Sequence, residues 1–195
     1  MAGRRSKASY EERREQRAAI DDPAVVLEAA ARFLEARSRS VAEVRRRLGR
    51  AGYNAELIEG AIVRLGELGM LDDEAFGRAW VESRDRARPR GEIALRRELS
   101  LKGVDRSIVN DLLEERRAAT ESDDDGHGRG PDVAAAERLL ARNERALARV
   151  ADPRQRRQRA YALLARNGFD SETCREASTR VTTVADEAEP APDSD

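Results

Sequence analysis

The sequence predicts an all-α protein built as an elongated tandem array of three three-helix repeats. Three observations carry that expectation. Ala, Leu, Arg and Glu dominate, and β-branched runs of period two are missing, so helices are favoured and no sheet is expected. A glycine followed two residues later by a capping side chain occurs at Gly52/Asn54, Gly103/Asp105 and Gly168/Asp170, each after a leucine at Leu48, Leu99 or Leu164. The apolar positions around those glycines superpose. A shift of 51 places Val44 on Leu95, and Leu57, Ile58, Ala61 and Ile62 on Ile108, Val109, Leu112 and Leu113. A shift of 65 carries Leu99 to Leu164 and Val104 to Phe169, so the third copy is a diverged one.

Taken in order, residues 1–22 form a polar, arginine-rich arm that is expected to be disordered or to fray as a helix after Tyr10. Its basic groups also suit a touch on nucleic acid. The first repeat occupies 23–69. Asp22-Pro23 supplies a cap and a first-turn proline for a helix with Val26, Leu27, Ala30, Phe33 and Leu34 inward. Ser40 and Glu43 form a capping box for the second helix, with Val41, Val44, Leu48 and Ala51 as its stripe. The third helix starts at Asn54. The second repeat, 70–119, opens at Asp72 or Asp73 and buries Phe76 and Trp80 four apart. Pro89 and Gly91 separate its first two helices. Residues 120–131, T-E-S-D-D-D-G-H-G-R-G-P, are acids, glycines and a proline that cannot bury apolar area, which predicts a flexible linker. The third repeat, 132–184, begins with one long helix to about Val150, then Asp152-Pro153 repeats the cap-proline signal. The acidic tail, 185–195, is expected to be disordered.

Several chemistries are not encoded. His127, the single histidine, sits between glycines of the linker, and the single cysteine, Cys174, falls on the core position of Ile58 and Val109. It therefore reads as a small buried apolar residue rather than a nucleophile. Metal-type spacing, a phosphate loop and a dinucleotide fingerprint are not found, and Asp72-Asp73-Glu74 reads as a helix cap. No catalytic residue, cofactor or metal ligand is assigned. The apolar runs fall short of the ~18 residues of a membrane span, and Met1–Lys7 lacks a signal-peptide core. A soluble, cytoplasmic monomer is expected.

Net charge is −1, yet charge is unevenly placed. The second helices carry Arg45, Arg46, Arg47 and Arg50, then Arg96, Arg97 and Lys102, with Arg84, Arg86, Arg88 and Arg90 just before. From Arg84 to Lys102 there are seven basic residues against three acids, a net charge of +4. The pair Arg45/Arg46 aligns with Arg96/Arg97 and lies off the apolar stripe, so these four are expected to be free for a partner. The candidate partner-binding set is Arg45, Arg46, Arg50, Arg84, Arg86, Arg88, Arg90, Arg96, Arg97 and Lys102. The third helices are acidic instead, with Glu56, Glu59 and Glu67, then Asp105, Asp111, Glu114 and Glu115. A helix-turn-helix reader places that helix among phosphates, which would repel it.

The order G-M-L-D-D-E-A-F-G-R-A-W-V (69–81), a basic run before P-R-G, and L-R-R-E-L-S-L-K-G-V-D (95–105) resembles the RecX family, as does A-L-L-A-R-N-G-F-D (162–170) for its last repeat. The resemblance covers about residues 23–184. It implies a partner, the RecA recombinase filament, and an inhibitory influence on its ATPase, strand-exchange and coprotease activities in DNA recombination, repair and the SOS response. It also implies a regulator rather than an enzyme. Single- or double-stranded DNA is a further contact open to the basic faces, and a helical nucleic-acid-binding protein with no recombinase partner is the alternative reading.

The linker expectation is checked by limited proteolysis. The first cuts should fall within 120–131, and the fragment ending near Ala119 should keep its helical circular dichroism. First cleavage within Asp105–Leu113 would contradict the boundary.

Overall fold

The structure is a computed structural model that describes residues 2–122 and 130–187. Eleven helices and no strands are found among them: α1 (Ala2–Ala18), α2 (Pro23–Glu35), α3 (Val41–Ala51), α4 (Ala55–Glu67), α5 (Asp73–Ala87), α6 (Glu92–Lys102), α7 (Arg106–Ser122), α8 (Pro131–Arg142), α9 (Glu144–Ala148), α10 (Pro153–Arg166) and α11 (Ser171–Glu187). Tandem three-helix repeats are the architecture: α2–α4, α5–α7, and α8 to α11 with α9 as an extra turn. The chain forms two compact units. One comprises the residues up to Gly77 with Ser100–Ile108, the other Arg78–Leu99 with the chain from Val109 onward.

In the first unit α2 starts where the Asp22 carboxylate accepts the Ala24 N–H at 2.8 Å, with Pro23 in the first turn. The Ser40/Glu43 capping box is formed, and Val44 and Leu48 of α3 are buried against Val26, Ala30, Ile58, Ala61 and Leu65. In the second unit Ala135, Ala136 and Leu140 of α8 pack with Ala160 and Leu164 of α10 and with Cys174 and Ala177 of α11. The register is met throughout: Leu48, Leu99 and Leu164 are all buried. The third copy has Thr173, Cys174, Ala177 and Ser178 where the second has the bulkier Ile108, Val109, Leu112 and Leu113. Its buried hydroxyls are satisfied, Thr173 donating to Asp170 Oδ2 at 2.8 Å and Ser178 to the Arg175 carbonyl at 3.3 Å.

One docking geometry recurs. Gly103 turns α6 into α7 with φ 81°, and a Cβ there would lie 2.4 Å from the Ala42 Cβ of α3. Beside it, Ser40 Oγ donates to the Lys102 carbonyl at 2.7 Å, and the Val41 N–H donates to Asp73 Oδ1 at 2.8 Å. The second unit repeats this. Gly168, φ 80°, would carry a Cβ 2.4 Å from the Ala94 Cβ of α6. Here the Gly91 N–H donates to the Asn167 carbonyl at 3.1 Å, and the Glu92 N–H to Asp132 Oδ2 at 2.8 Å. In both, the start of a second helix rests on the next repeat's glycine turn. An aspartate from that repeat's first helix meets its open N–H groups.

Three expectations need correction. The arm expected as disordered is helical over Ala2–Ala18, because α1 docks on the first glycine turn: a Cβ on Gly52 would lie 2.5 Å from Arg14 Cγ and 2.7 Å from the Arg14 carbonyl. Tyr10 Oη donates to the Arg50 carbonyl at 2.8 Å and so takes up an open group at the end of α3. The first helix of the third repeat does not run unbroken to Val150. It stops at Asn143, whose Nδ2 donates to the Leu139 carbonyl at 2.8 Å, and α9 restarts after it. Trp80 is only half-buried, because its indole N–H turns to Glu98 Oε2 at 2.9 Å; Phe76 alone is buried. Of the expected linker, α7 runs through Ser122 and Pro131 opens α8, while 123–129 lie outside the described residues, as does the tail from 188 on.

The docking geometry is checked by comparing two glycines of one unit that share positive φ. Gly69, at φ 66°, has open space where a Cβ would go, whereas Gly103 does not. Gly69→Ala should cost about 1 kcal/mol in urea melts, the backbone term alone, and Gly103→Ala clearly more. Equal losses would remove the close approach as a source of stability.

Candidate partner-binding surface

The basic residues of the second helices divide by what they touch. Arg45 on α3 makes a two-pronged contact with Glu59 on α4, at 2.5 and 2.7 Å. The Glu59 hydrogen bond raises the Arg45 guanidinium further and lowers the Glu59 carboxyl. At the matching place in the next repeat, Arg96 reaches Asn110 in a short hydrogen bond and Glu92 at 3.1 Å. The expectation that all four paired arginines are free therefore fails for Arg45 and Arg96. A residue fourteen positions on, across the glycine turn, has already engaged each of them. Arg46 touches the Lys102 carbonyl at 3.3 Å and is otherwise exposed; Arg97 is exposed with no polar side-chain partner among the described residues.

The run after α5 is similarly sorted. Glu98 on α6 collects Arg84 at 2.6 Å, Arg90 at 3.4 Å and the Trp80 indole. The Arg84 guanidinium also stands 4.3 Å from the Trp80 ring centre. Arg90 bonds Asn167 Oδ1 as well. Lys102 donates to Glu43 at 2.9 Å. Arg86 and Arg88 are exposed, and no carboxylate reaches their guanidinium groups among the described residues. Their backbone is braced instead: Arg142 donates to the Ala87 carbonyl and, at 2.7 Å, to the Arg86 carbonyl at the end of α5. Arg50 is exposed with no carboxylate partner among the described residues. From ten candidates, then, Arg46, Arg50, Arg86, Arg88 and Arg97 keep their charge open to solvent, and the other five are at least partly neutralised.

Sequence reasoning passed over a buried ionic cluster. Arg116 of α7 bonds both oxygens of Asp85 at 2.9 Å and Asp132 Oδ1 at 2.6 Å. Burial works against its charge, but the two carboxylates outweigh that and raise its pKa. Nothing in the local sequence marks Arg116 from the adjacent Arg117; only the fold brings Asp132 to it. Asp132 then serves twice, since its second oxygen takes the Glu92 N–H. Cys174 is buried, its thiol pushed up by burial and then by Asp170, as expected of a core residue. His127 lies outside the described residues. Among the described residues no helix is long and apolar enough to cross a membrane.

Comparison with known proteins adds the lineage. Residues 27–65 match the family model described as RecX, first three-helix domain, and residues 72–113 the model described as RecX, second three-helix domain. Regulatory protein RecX of Chlorobium phaeobacteroides (strain BS1) is 31% identical over 78% of this chain and 90% of its own length. Regulatory protein RecX of Pelodictyon phaeoclathratiforme (strain DSM 5477 / BU-1) is 43% identical over 44% of this chain and 54% of its own. The crystal structure of RecX from Lactobacillus salivarius superposes with a TM-score of 0.68 at 18% identity, covering 84% of this chain and 98% of that one, a likeness of fold.

Glu43 gives the surface a pH dependence. Burial, the largest single influence, pushes its carboxyl up, but hydrogen bonds from Arg37, Lys102 and the Ser40 N–H outweigh it and bring it from 4.5 to about 2. A carboxyl depressed on folding contributes stability that is fully present above its unfolded pKa and is lost as pH falls through the folded one. Stability should therefore decline as pH is lowered from 4.5 toward about 2. Glu43→Gln, uncharged throughout, should flatten that decline relative to the parent chain. Melts of both proteins across this range measure it; superimposable slopes would exclude Glu43 from the linkage.

Proposed function

The chain is a member of the RecX family, and from that premise we propose that it binds the filament of the RecA recombinase and restrains its ATPase, strand-exchange and coprotease activities. It thereby acts in the cytoplasm on DNA recombination, repair and the SOS response. The observation that carries the contact surface is the open charge of Arg86, Arg88 and Arg97, three arginines that no carboxylate reaches among the described residues, whereas Arg84, Arg90 and Arg96 beside them each have one. Exposed arginines of this kind offer forked donors to carboxylates or phosphates at little desolvation cost. The acidic outer residues of α4 and α7 weigh against the major-groove docking of a helix-turn-helix reader, and so support a filament surface over sequence-specific DNA.

The test is recombinase ATPase on single-stranded DNA with substoichiometric chain added. Inhibition is expected, and full activity at excess chain would reject the recombinase reading. In filament binding by anisotropy, Arg86→Ala/Arg88→Ala/Arg97→Ala should weaken affinity at least tenfold, about 1.4 kcal/mol, with helicity unchanged. Arg45→Ala, which removes one already paired arginine, should change filament affinity by no more than an exposed ion pair is worth, up to about 1 kcal/mol. An unchanged affinity in the folded triple variant would make those three arginines a solvated face.

A further inference from the structure

A groove in the first unit gathers charge and aromatic rings that the surface described above does not use. Its volume is about 570 Å³, within the ordinary range of small-ligand clefts of ~300–1,000 Å³. Tyr10 and Arg17 of α1 form one wall, two turns apart on one helix face. Phe33 of α2, Arg47 and Arg50 of α3, and Tyr53 of the first glycine turn form the remainder. Three of the seven aromatic residues of the whole chain thus line one groove. No carboxylate is among the lining residues, although Glu11, Glu12 and Glu15 lie on the same helix as Tyr10.

The arginines are held against ring faces rather than against acids. The Arg17 guanidinium stands 5.8 Å from the Tyr53 ring centre and Arg47 stands 5.7 Å from that of Phe33. Arg39, beside the groove, stands 4.3 Å from the same Phe33 ring, and its Nε is buried without a hydrogen-bond partner. Arg17 makes one long contact, 3.4 Å, with the Ala51 carbonyl. Arg32, also on the rim, is the exception, paired with Glu28 at 2.5 Å. Arg47 and Arg50 have no carboxylate partner among the described residues. The contrast with Arg45, one residue before the Arg46–Arg47 pair and fully engaged by Glu59, is the informative one. On one helix, Arg45 is neutralised by α4, and Arg47 and Arg50, which line the groove, are not.

An unneutralised cationic cleft floored by aromatic faces suits a ligand that brings anions and flat rings at alternating positions. That is the chemistry of a single-stranded nucleic acid: phosphates for the guanidinium forks, bases for the rings. An acidic peptide would satisfy the arginines but leave the rings without a partner. A duplex keeps its bases stacked inside and would meet the arginines alone. We propose that the groove between α1, α2 and α3 binds single-stranded nucleic acid, with Arg17, Arg47 and Arg50 on phosphates and Tyr10, Phe33 and Tyr53 presenting stacking faces. Helix α1 is part of the site, which gives the arginine-rich N-terminal stretch a defined role. The proposal does not rest on the recombinase reading, because the groove needs no second protein.

The experiment is anisotropy of a labelled oligothymidylate with the full chain and no recombinase, across a salt series. The parent chain should bind. Arg47→Ala/Arg50→Ala should lose at least about tenfold in affinity and flatten the log–log salt slope by about 1.4, since each phosphate contact on a single strand contributes about 0.7. Tyr10→Phe keeps the ring and should bind like the parent in this respect, while Tyr10→Ala should bind several-fold more weakly. An abasic strand of equal length should also bind several-fold more weakly than oligothymidylate. Arg64→Ala, which removes a residue paired with Glu67 and absent from the groove, should bind as the parent does. Unchanged affinity and slope in the folded double variant would overturn the proposal. So would equal binding of the abasic strand, or displacement of the oligonucleotide by an oligoglutamate of matching charge at equal concentration, which would assign the groove to acidic peptide. Arg86→Ala/Arg88→Ala/Arg97→Ala should bind the strand as the parent does, which keeps this result separate from the filament test.

Discussion

The structure depends on one contact made three times, the seating of a helix on a left-handed glycine turn. At Gly52, Gly103 and Gly168 the chain passes from second to third helix of a repeat with φ of 102°, 81° and 80°, and at each a Cβ would overlap a neighbouring helix. The neighbour is α1 at the first, α3 at the second and α6 at the third. Glycine is required twice over, for the positive φ and for the missing side chain. Around the second and third turns, Asp73 and Asp132 accept N–H groups at the start of α3 and α6, and backbone carbonyls take Ser40 Oγ and the Gly91 N–H. A repeat cannot cover both its ends, so tandem arrays need terminal elements that differ from the interior ones. Helix α1 fills that place at the first turn.

How much of this was readable follows from where the information sits. The glycines, their leucines four residues earlier and the caps two residues later are local and periodic, and they marked the turn between the second and third helix of each repeat. Helix α1 was not readable in the same way. Its surface is almost wholly polar, and it docks through the Arg14 backbone and the Tyr10 hydroxyl, neither of which leaves a periodic mark. Asn143 stops α8 by bonding a carbonyl of its own helix, a choice that asparagine makes in some helices and not in others. Trp80 followed the apolar pattern of its helix, but its single N–H took Glu98, and a buried indole without that partner would have been costly.

The charges obeyed a rule that becomes visible only with the turn folded. Arg45 and Glu59, and Arg96 and Asn110, are fourteen residues apart, the separation that crosses one glycine turn and brings the outer edges of consecutive helices together. In the third repeat the same places hold Tyr161 and Arg175, so the pair is dissolved and the cation moves to the third helix. Read as a string, α3 is a basic helix after its first turn. Folded, its arginines are distinguished by azimuth: Arg45 answers Glu59 of α4, whereas Arg47 meets the Phe33 ring. Counting arginines therefore overestimates the available charge, and subtracting those with a carboxylate partner gives a smaller and more specific set.

That subtraction also explains how a chain of net charge −1 can still present strong positive sites. Acids spent on internal pairs, such as Glu59, Glu98 and Asp85, cancel arginines that would otherwise make a diffuse cationic coat. A diffuse coat attracts any polyanion, whereas isolated clusters of open guanidinium select by spacing and by what stands next to them. Arg86 and Arg88 stand next to solvent; Arg47 stands next to Phe33. The first arrangement favours a charged surface of any class, the second a ligand with flat rings. Two clusters of open guanidinium with different surroundings thus arise through the placement of a few carboxylates.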